Sequence, residues 1–157
     1  MRRTAAVASV TVSGGSLSAE AVRRNETSPA SRLKALSYLD NILARAQARA
    51  AGADDALMLN TRGEIACAAA ANLFWIEDGR LFTPALECGV LDGIMRAQVL
   101  AVAGINVAEV RAGREALDRA EAVFLTNSLV GIQPVAALDG RPLGPHPLVA
   151  GLSSRCR

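Results

Sequence analysis

The sequence predicts an α+β or mixed α/β domain, and three observations carry that prediction. Short apolar runs recur along the chain, separated by turn pairs such as Gly14-Gly15, Asp78-Gly79 and Asp139-Gly140. Two longer stretches, about 37–51 and 93–103, place apolar residues at helical spacing. The 157 residues, 51% of them apolar, suffice for one domain with a real core and not for two.

Taken in order, Ala5–Val12 is a strand closed by Gly14-Gly15, and Leu17–Arg24 pairs with it as a hairpin. Two arginines precede the first apolar stretch as in a signal peptide. Ala, Val, Ser and Thr without a leucine core make a strand the better reading. Asn25–Ser31 is a polar loop, since Pro29 interrupts regular structure and pushes Ser28 toward an extended conformation. A helix from about Ser37 to Ala51 is expected to bury Leu39, Ile42, Leu43, Ala46 and Ala50, with Gly52 as its stop. Asp55–Asn60 is a buried strand. Strands then follow at Glu64–Ala68, Leu73–Ile76 and Leu81–Thr83, the last two joined over Asp78-Gly79. The helix Gly93–Ala103 is apolar on most of its surface and should be buried. Ile105–Arg111, Ala122–Thr126 and Ile132–Leu138 are strands, and Arg114–Arg119 is a short helix. Pro145–Leu152 begins a helix expected to continue hardly further.

Composition excludes several classes. A net charge of +2 from scattered arginines, without interleaved aromatics, gives no nucleic-acid surface. No apolar run is long enough to cross a bilayer, so a cytoplasmic protein is expected. Cys67, Cys88 and Cys156 form no C-x-x-C pair, which points away from a disulfide framework and a zinc site. His146, between Pro145 and Pro147, is the sole histidine and reads as a turn residue facing solvent. A Ser-His-Asp triad or a histidine metal cluster is thereby disfavoured, and no metal is expected. Chemistry must come from a lysine, a carboxylate, a thiol or a bound cofactor.

The stretch Gly63–Arg96 suggests what that cofactor carries. A strand pair feeds a helix whose first turn holds Gly93, and such a terminus presents bare backbone N–H groups to an anion. A phosphate-bearing ligand follows from that arrangement.

Five motifs then occur in order: Lys34-Ala-Leu-Ser-Tyr38-Leu-Asp-Asn41, Gly52–Asn60, Ala71-Asn-Leu-Phe-Trp75, Gly79-Arg-Leu-Phe-Thr-Pro84 and Gly93-Ile-Met-Arg96. Together they resemble the large domain of the class-IV aminotransferases, the fold-type-IV enzymes of pyridoxal 5'-phosphate. That family includes branched-chain and D-amino-acid aminotransferases and aminodeoxychorismate lyase. The resemblance covers roughly Arg23 to Leu152 and implies an α+β fold with a mixed, barrel-like sheet and flanking helices. It implies that Lys34 is the catalytic lysine that carries the cofactor and shuttles the α-proton. Gly93, Ile94 and Met95 would form the phosphate cup, Leu91 would pack on the ring, and Asn127 and Ser128 would add contacts to the phosphate. Tyr38 and Asn41 would shape the wall beside the lysine. The implied substrates are an amino acid and a 2-oxo acid, and the implied assembly is a homodimer. Transamination is the simplest activity. Ala71–Trp75 and Gly93–Arg96 lean toward the lyase, which makes p-aminobenzoate and pyruvate, and a catalytically inactive relative is the third alternative.

Two departures from the family pattern stand out. Cys67 occupies the ring-contact position where relatives typically carry Glu to pair with the protonated pyridine nitrogen, and a small buried hydrophobe is an equal reading of it. Glu64 is an awkward substitute, because strand residues three apart point to opposite faces. Asp92 would be a favourable N-cap, turned toward its own helix or weakening phosphate binding. Relatives also carry a smaller N-terminal domain that supplies one wall and an arginine to the phosphate. Residues 1–157 are expected to be the cofactor-binding domain without it, a fragment inactive alone, with Arg2, Arg3, Arg23 and Arg24 no replacement for that arginine.

Overall fold

The computed structural model describes residues 11–12, 17–19, 22–36, 38–102, 104–138 and 141–156. Most of the predicted Ala5–Val12 strand and the turns at Gly14-Gly15 and Asp139-Gly140 lie outside them. Among the described residues ten strands form one mixed sheet: β1 (Thr11–Val12), β2 (Leu17–Ala19), β3 (Asp55–Leu59), β4 (Ile65–Ala68), β5 (Asn72–Glu77), β6 (Arg80–Pro84), β7 (Val107–Val110), β8 (Ala122–Asn127), β9 (Gly131–Leu138) and β10 (Arg141–Pro142). Three α-helices among the described residues flank it, α1 (Leu39–Ala50), α2 (Ile94–Ala101) and α3 (Pro147–Arg155).

The order along the sheet is β4-β3-β2-β9-β8-β5-β6-β7, with β1 and β10 also on β9. The β5–β6 hairpin turns over Asp78-Gly79 as expected, and both residues take positive φ. β6 and β7 are parallel, so the chain between them must cross over, and α2 lies in that crossover. The expected N-terminal hairpin does not form among the described residues. β1 pairs antiparallel with β9, whereas β2 runs parallel to β3 and touches β9 at Leu138. The eight-residue β9 is long enough to take β8, β1 and β2 at successive positions, and so competes with local pairing.

Strand alternation divides the core. Leu73 and Trp75 of β5 pack with Val123 and Leu125 of β8 on one face, over Ala116 and Leu117. Phe74, Ile76 and Phe124 face the other way, against Met95 and Val99 of α2 and Val149 and Leu152 of α3.

The burial of α1 corrects the sequence expectation. Its buried residues are Asn41, Ala44 and Ala48, whereas Leu39, Ile42 and Leu43 are 62%, 59% and 46% exposed. Ala44 and Ala48 meet Ala56, Met58 and Ala66 of β3 and β4, and small side chains allow a close approach that leucines would prevent. α3 also differs from expectation. It runs nine residues to Arg155, with His146 as its N-cap: Nδ1 accepts a hydrogen bond from the Leu148 N–H at 3.2 Å. His146 is half-buried and lies 3.5 Å from Glu121, so it is a capping residue and not a solvent-facing one. No helix among the described residues is long and apolar enough to cross a membrane.

Candidate active site

One cavity of about 170 Å³ gathers residues from five separate segments. Lys34 reaches it from the link between the 3-10 turn Pro29–Arg32 and α1, and Cys67 from β4. Leu91, Gly93, Ile94 and Met95 come from the entry to α2, and Asn127 and Ser128 from the end of β8. All eight residues singled out in the sequence therefore share one cavity wall, as does Tyr38, the N-cap of α1. Asn41 is not on that wall. It sits behind it, donating to the Ala69 carbonyl at 2.8 Å.

The α2 terminus is built from β5 outward. Asn72 Nδ2 donates to the Leu91 carbonyl at 2.8 Å and so fixes the loop before the helix. Gly93 is the N-cap, with ordinary extended φ and ψ, and its need for glycine is spatial: a Cβ there would sit 2.2 Å from Asn72 Oδ1. A side chain at this position would therefore strike Asn72. The helical ladder includes Ala97 N–H on the Gly93 carbonyl at 2.9 Å, so the amides of Ile94 and Met95 precede it at the cavity.

Asp92 is not the N-cap. It lies one residue earlier, with its carboxylate 3.7 Å from Arg96 Nη1 one turn on. Arg96 is 1% exposed, also pairs with Glu109 of β7, and donates to the Pro84 carbonyl at 3.2 Å. The expected turn of Asp92 toward its own helix is what the geometry shows.

Arg24, set aside in the sequence reading, lines the cavity and is 8% exposed. Its guanidinium donates to the Gly89 carbonyl at 2.8 Å, to Asn41 Oδ1 at 3.0 Å and to the Ser31 carbonyl. These acceptors are neutral, so its charge is balanced by no carboxylate among its hydrogen-bond partners. Burial pushes the Cys67 thiol from an ordinary 9.0 up to about 11, with Arg24 opposing and Asp55 adding to the rise. Burial likewise raises Tyr38. Cys67 is therefore a neutral thiol at physiological pH. Glu64 cannot replace a carboxylate there: it is held by Asn60 Nδ2 at 2.6 Å and Arg111 at 2.7 Å, outside the cavity.

Asn72, Arg24 and Thr126 are the polar wall residues to which the sequence reading gave no binding role. Asn72 stood inside the Ala71–Trp75 motif, and Thr126 directly precedes Asn127. Arg24 had only the signal of a charge at the end of a predicted strand.

The pattern described as Amino-transferase class IV matches residues 7–138. The chain is 36% identical over 111 residues to the branched-chain-amino-acid aminotransferase of Salmonella typhimurium, covering 69% of this chain and 36% of that protein. A putative 4-amino-4-deoxychorismate lyase from Legionella pneumophila superposes with a TM-score of 0.81 at 38% identity, covering 87% of this chain and 52% of that one. The branched-chain aminotransferase of Thermobaculum terrenum, solved in its PLP form, gives 0.81 at 30% identity, over 87% and 47%. The chain belongs to the class IV aminotransferase family and has the α+β fold of its fold-type-IV members. It spans about half the length of the two solved relatives.

Proposed function

We propose that this chain is the cofactor-binding domain of a pyridoxal-phosphate enzyme that moves an amino group between an amino acid, branched-chain-like or D, and a 2-oxo acid. The observation that carries the reading is the meeting of Lys34, the first residues of α2 and Ser128 around one space. Those groups suit the cofactor's two handles: an amine for the aldehyde, and N–H and hydroxyl donors for the phosphate.

When bound, the cofactor supplies an electron sink for the charge left at the substrate α-carbon. The protein's own residues do the rest. Lys34 Nζ would hold the cofactor through its amine and would take the substrate α-proton and return it. Ile94 and Met95 N–H groups orient the phosphate, with the helix dipole favouring the dianion. Arg96 draws Asp92 aside, so its carboxylate repels that anion less. Leu91 covers an apolar face. Cys67, as a neutral thiol, can share a hydrogen bond with the ring nitrogen and cannot hold it as an ion pair.

A second reading, cleavage of aminodeoxychorismate to p-aminobenzoate and pyruvate, is favoured by the 38% identity to the Legionella protein. One experiment separates the two. The holoenzyme is incubated with 2-oxoglutarate and a panel of amino acids, and separately with aminodeoxychorismate. Glutamate formation lost in Lys34→Ala supports transamination, and pyruvate release lost in that variant favours the lyase. Neither product, with cofactor bound, overturns both activities and leaves an inactive relative.

A further inference from the structure

We propose that the Thr126 hydroxyl is a binding group for a phosphate monoester at the α2 terminus, a role that rests on the cofactor reading above. Ala122, Phe124 and Thr126 alternate onto one face of β8. Phe124 on that face stacks on Phe74 at 5.0 Å and packs with Met95 and Val99, so Thr126 lies on the face of β8 that packs on α2. Its cross-strand partner is Asn72, whose amide is already engaged with Leu91 and packed against Gly93.

Thr126 is not engaged. It is 1% exposed, lines the cavity, and its Oγ1 has no hydrogen-bond partner in the protein. A buried hydroxyl without a partner lowers stability, and valine would fill nearly the same shape without that cost. In the cavity that Ile94 and Met95 also line, an oxygen of a phosphate dianion can accept a hydrogen bond from the hydroxyl, giving the cup a donor from the sheet as well as from the helix. The charged groups facing this space are Lys34, Arg24 and Asp92, the last turned toward Arg96.

The test uses the purified chain, pyridoxal phosphate, and pyridoxal lacking the phosphate. Thr126→Val should raise the melting temperature of the cofactor-free protein and weaken pyridoxal phosphate binding about ten- to a hundred-fold, the effect of one hydrogen bond to a charged group. Pyridoxal binding should not change, and Thr126→Ser should keep the affinity for the phosphate form. A merely structural threonine would move stability and leave the phosphate preference alone. If Thr126→Val binds pyridoxal phosphate as tightly as the wild type, the hydroxyl has no such role, and the cofactor reading survives. If the wild type binds pyridoxal phosphate no better than pyridoxal, the phosphate cup fails and this inference with it.

Discussion

Two buried arginines hold the two ends of the candidate site, and they do so by different physics. Arg24 ties the Gly89 loop, the Ser31 carbonyl ahead of Lys34, and Asn41 of α1, all through neutral acceptors that are themselves buried. Arg96 instead answers carboxylates. The side chain of Asp92 is 66% exposed and that of Glu109 is 45% exposed. Water can re-solvate those carboxylates when their partner is lost, and it cannot reach the acceptors around Arg24 as easily. The Lys34 end is therefore a buried network, and the cup end a half-wet ion cluster.

The largest consequence is at Arg24. Arg24→Met strands buried acceptors, and a loss on the order of 3–5 kcal/mol in urea unfolding is expected. Arg24→Lys should recover only part of it, because a point charge cannot fork to three acceptors. A loss as small as that of an exposed arginine would remove the contrast between the two ends. Arg96→Met should cost less, about 1–2 kcal/mol, with the Pro84 carbonyl as the main orphan. It should also weaken pyridoxal phosphate binding by freeing Asp92, and adding Asp92→Asn should restore affinity. Failure of that rescue would show that Asp92 does not act on the anion.

Part of this was legible beforehand. The β5–β6 hairpin, the α2 stretch and eight residues of the cavity wall could be named because turn pairs, glycines and ordered motifs are local signals. The buried face of α1 could not. Its apolar side chains lie at helical spacing on two faces, and the sheet selected the alanine face because β3 and β4 are themselves lined with small residues. Arg24 was invisible for a related reason: its acceptors lie at Ser31, Asn41 and Gly89, and no local pattern links those positions. Thr126 needed the structure too, since only a buried oxygen without a partner marks it out.

The comparison can also be sharpened from the cavity side. Cys67→Glu would offer the Arg24 end the carboxylate it lacks and would let the ring nitrogen hold a proton. The rate of α-proton exchange, followed by deuterium loss from a labelled amino acid, should be preserved or rise. A large fall with cofactor still bound would make the thiol a tuned part of the site.

A smaller effect should appear in alkali. Cys67 and Cys88 are both pushed from 9.0 up to about 11, chiefly by burial. Between those values the folded state holds protons that the unfolded chain has released, so stability should be intact below pH 9 and fall as pH rises toward 11. Alanine at either position should flatten that fall in denaturant titrations across the range.

The central claim is that Lys34 carries the cofactor. The chain is loaded with pyridoxal phosphate, reduced with borohydride, digested and read by mass spectrometry. The phosphopyridoxyl mass is expected on the peptide holding Lys34, the only lysine in the sequence and a residue of the cavity wall, and not on the N-terminal amine, and no stable label is expected on Lys34→Ala. A label on the N-terminal amine in place of Lys34, with Lys34→Ala still trapping the cofactor as the wild type does, would contradict the account.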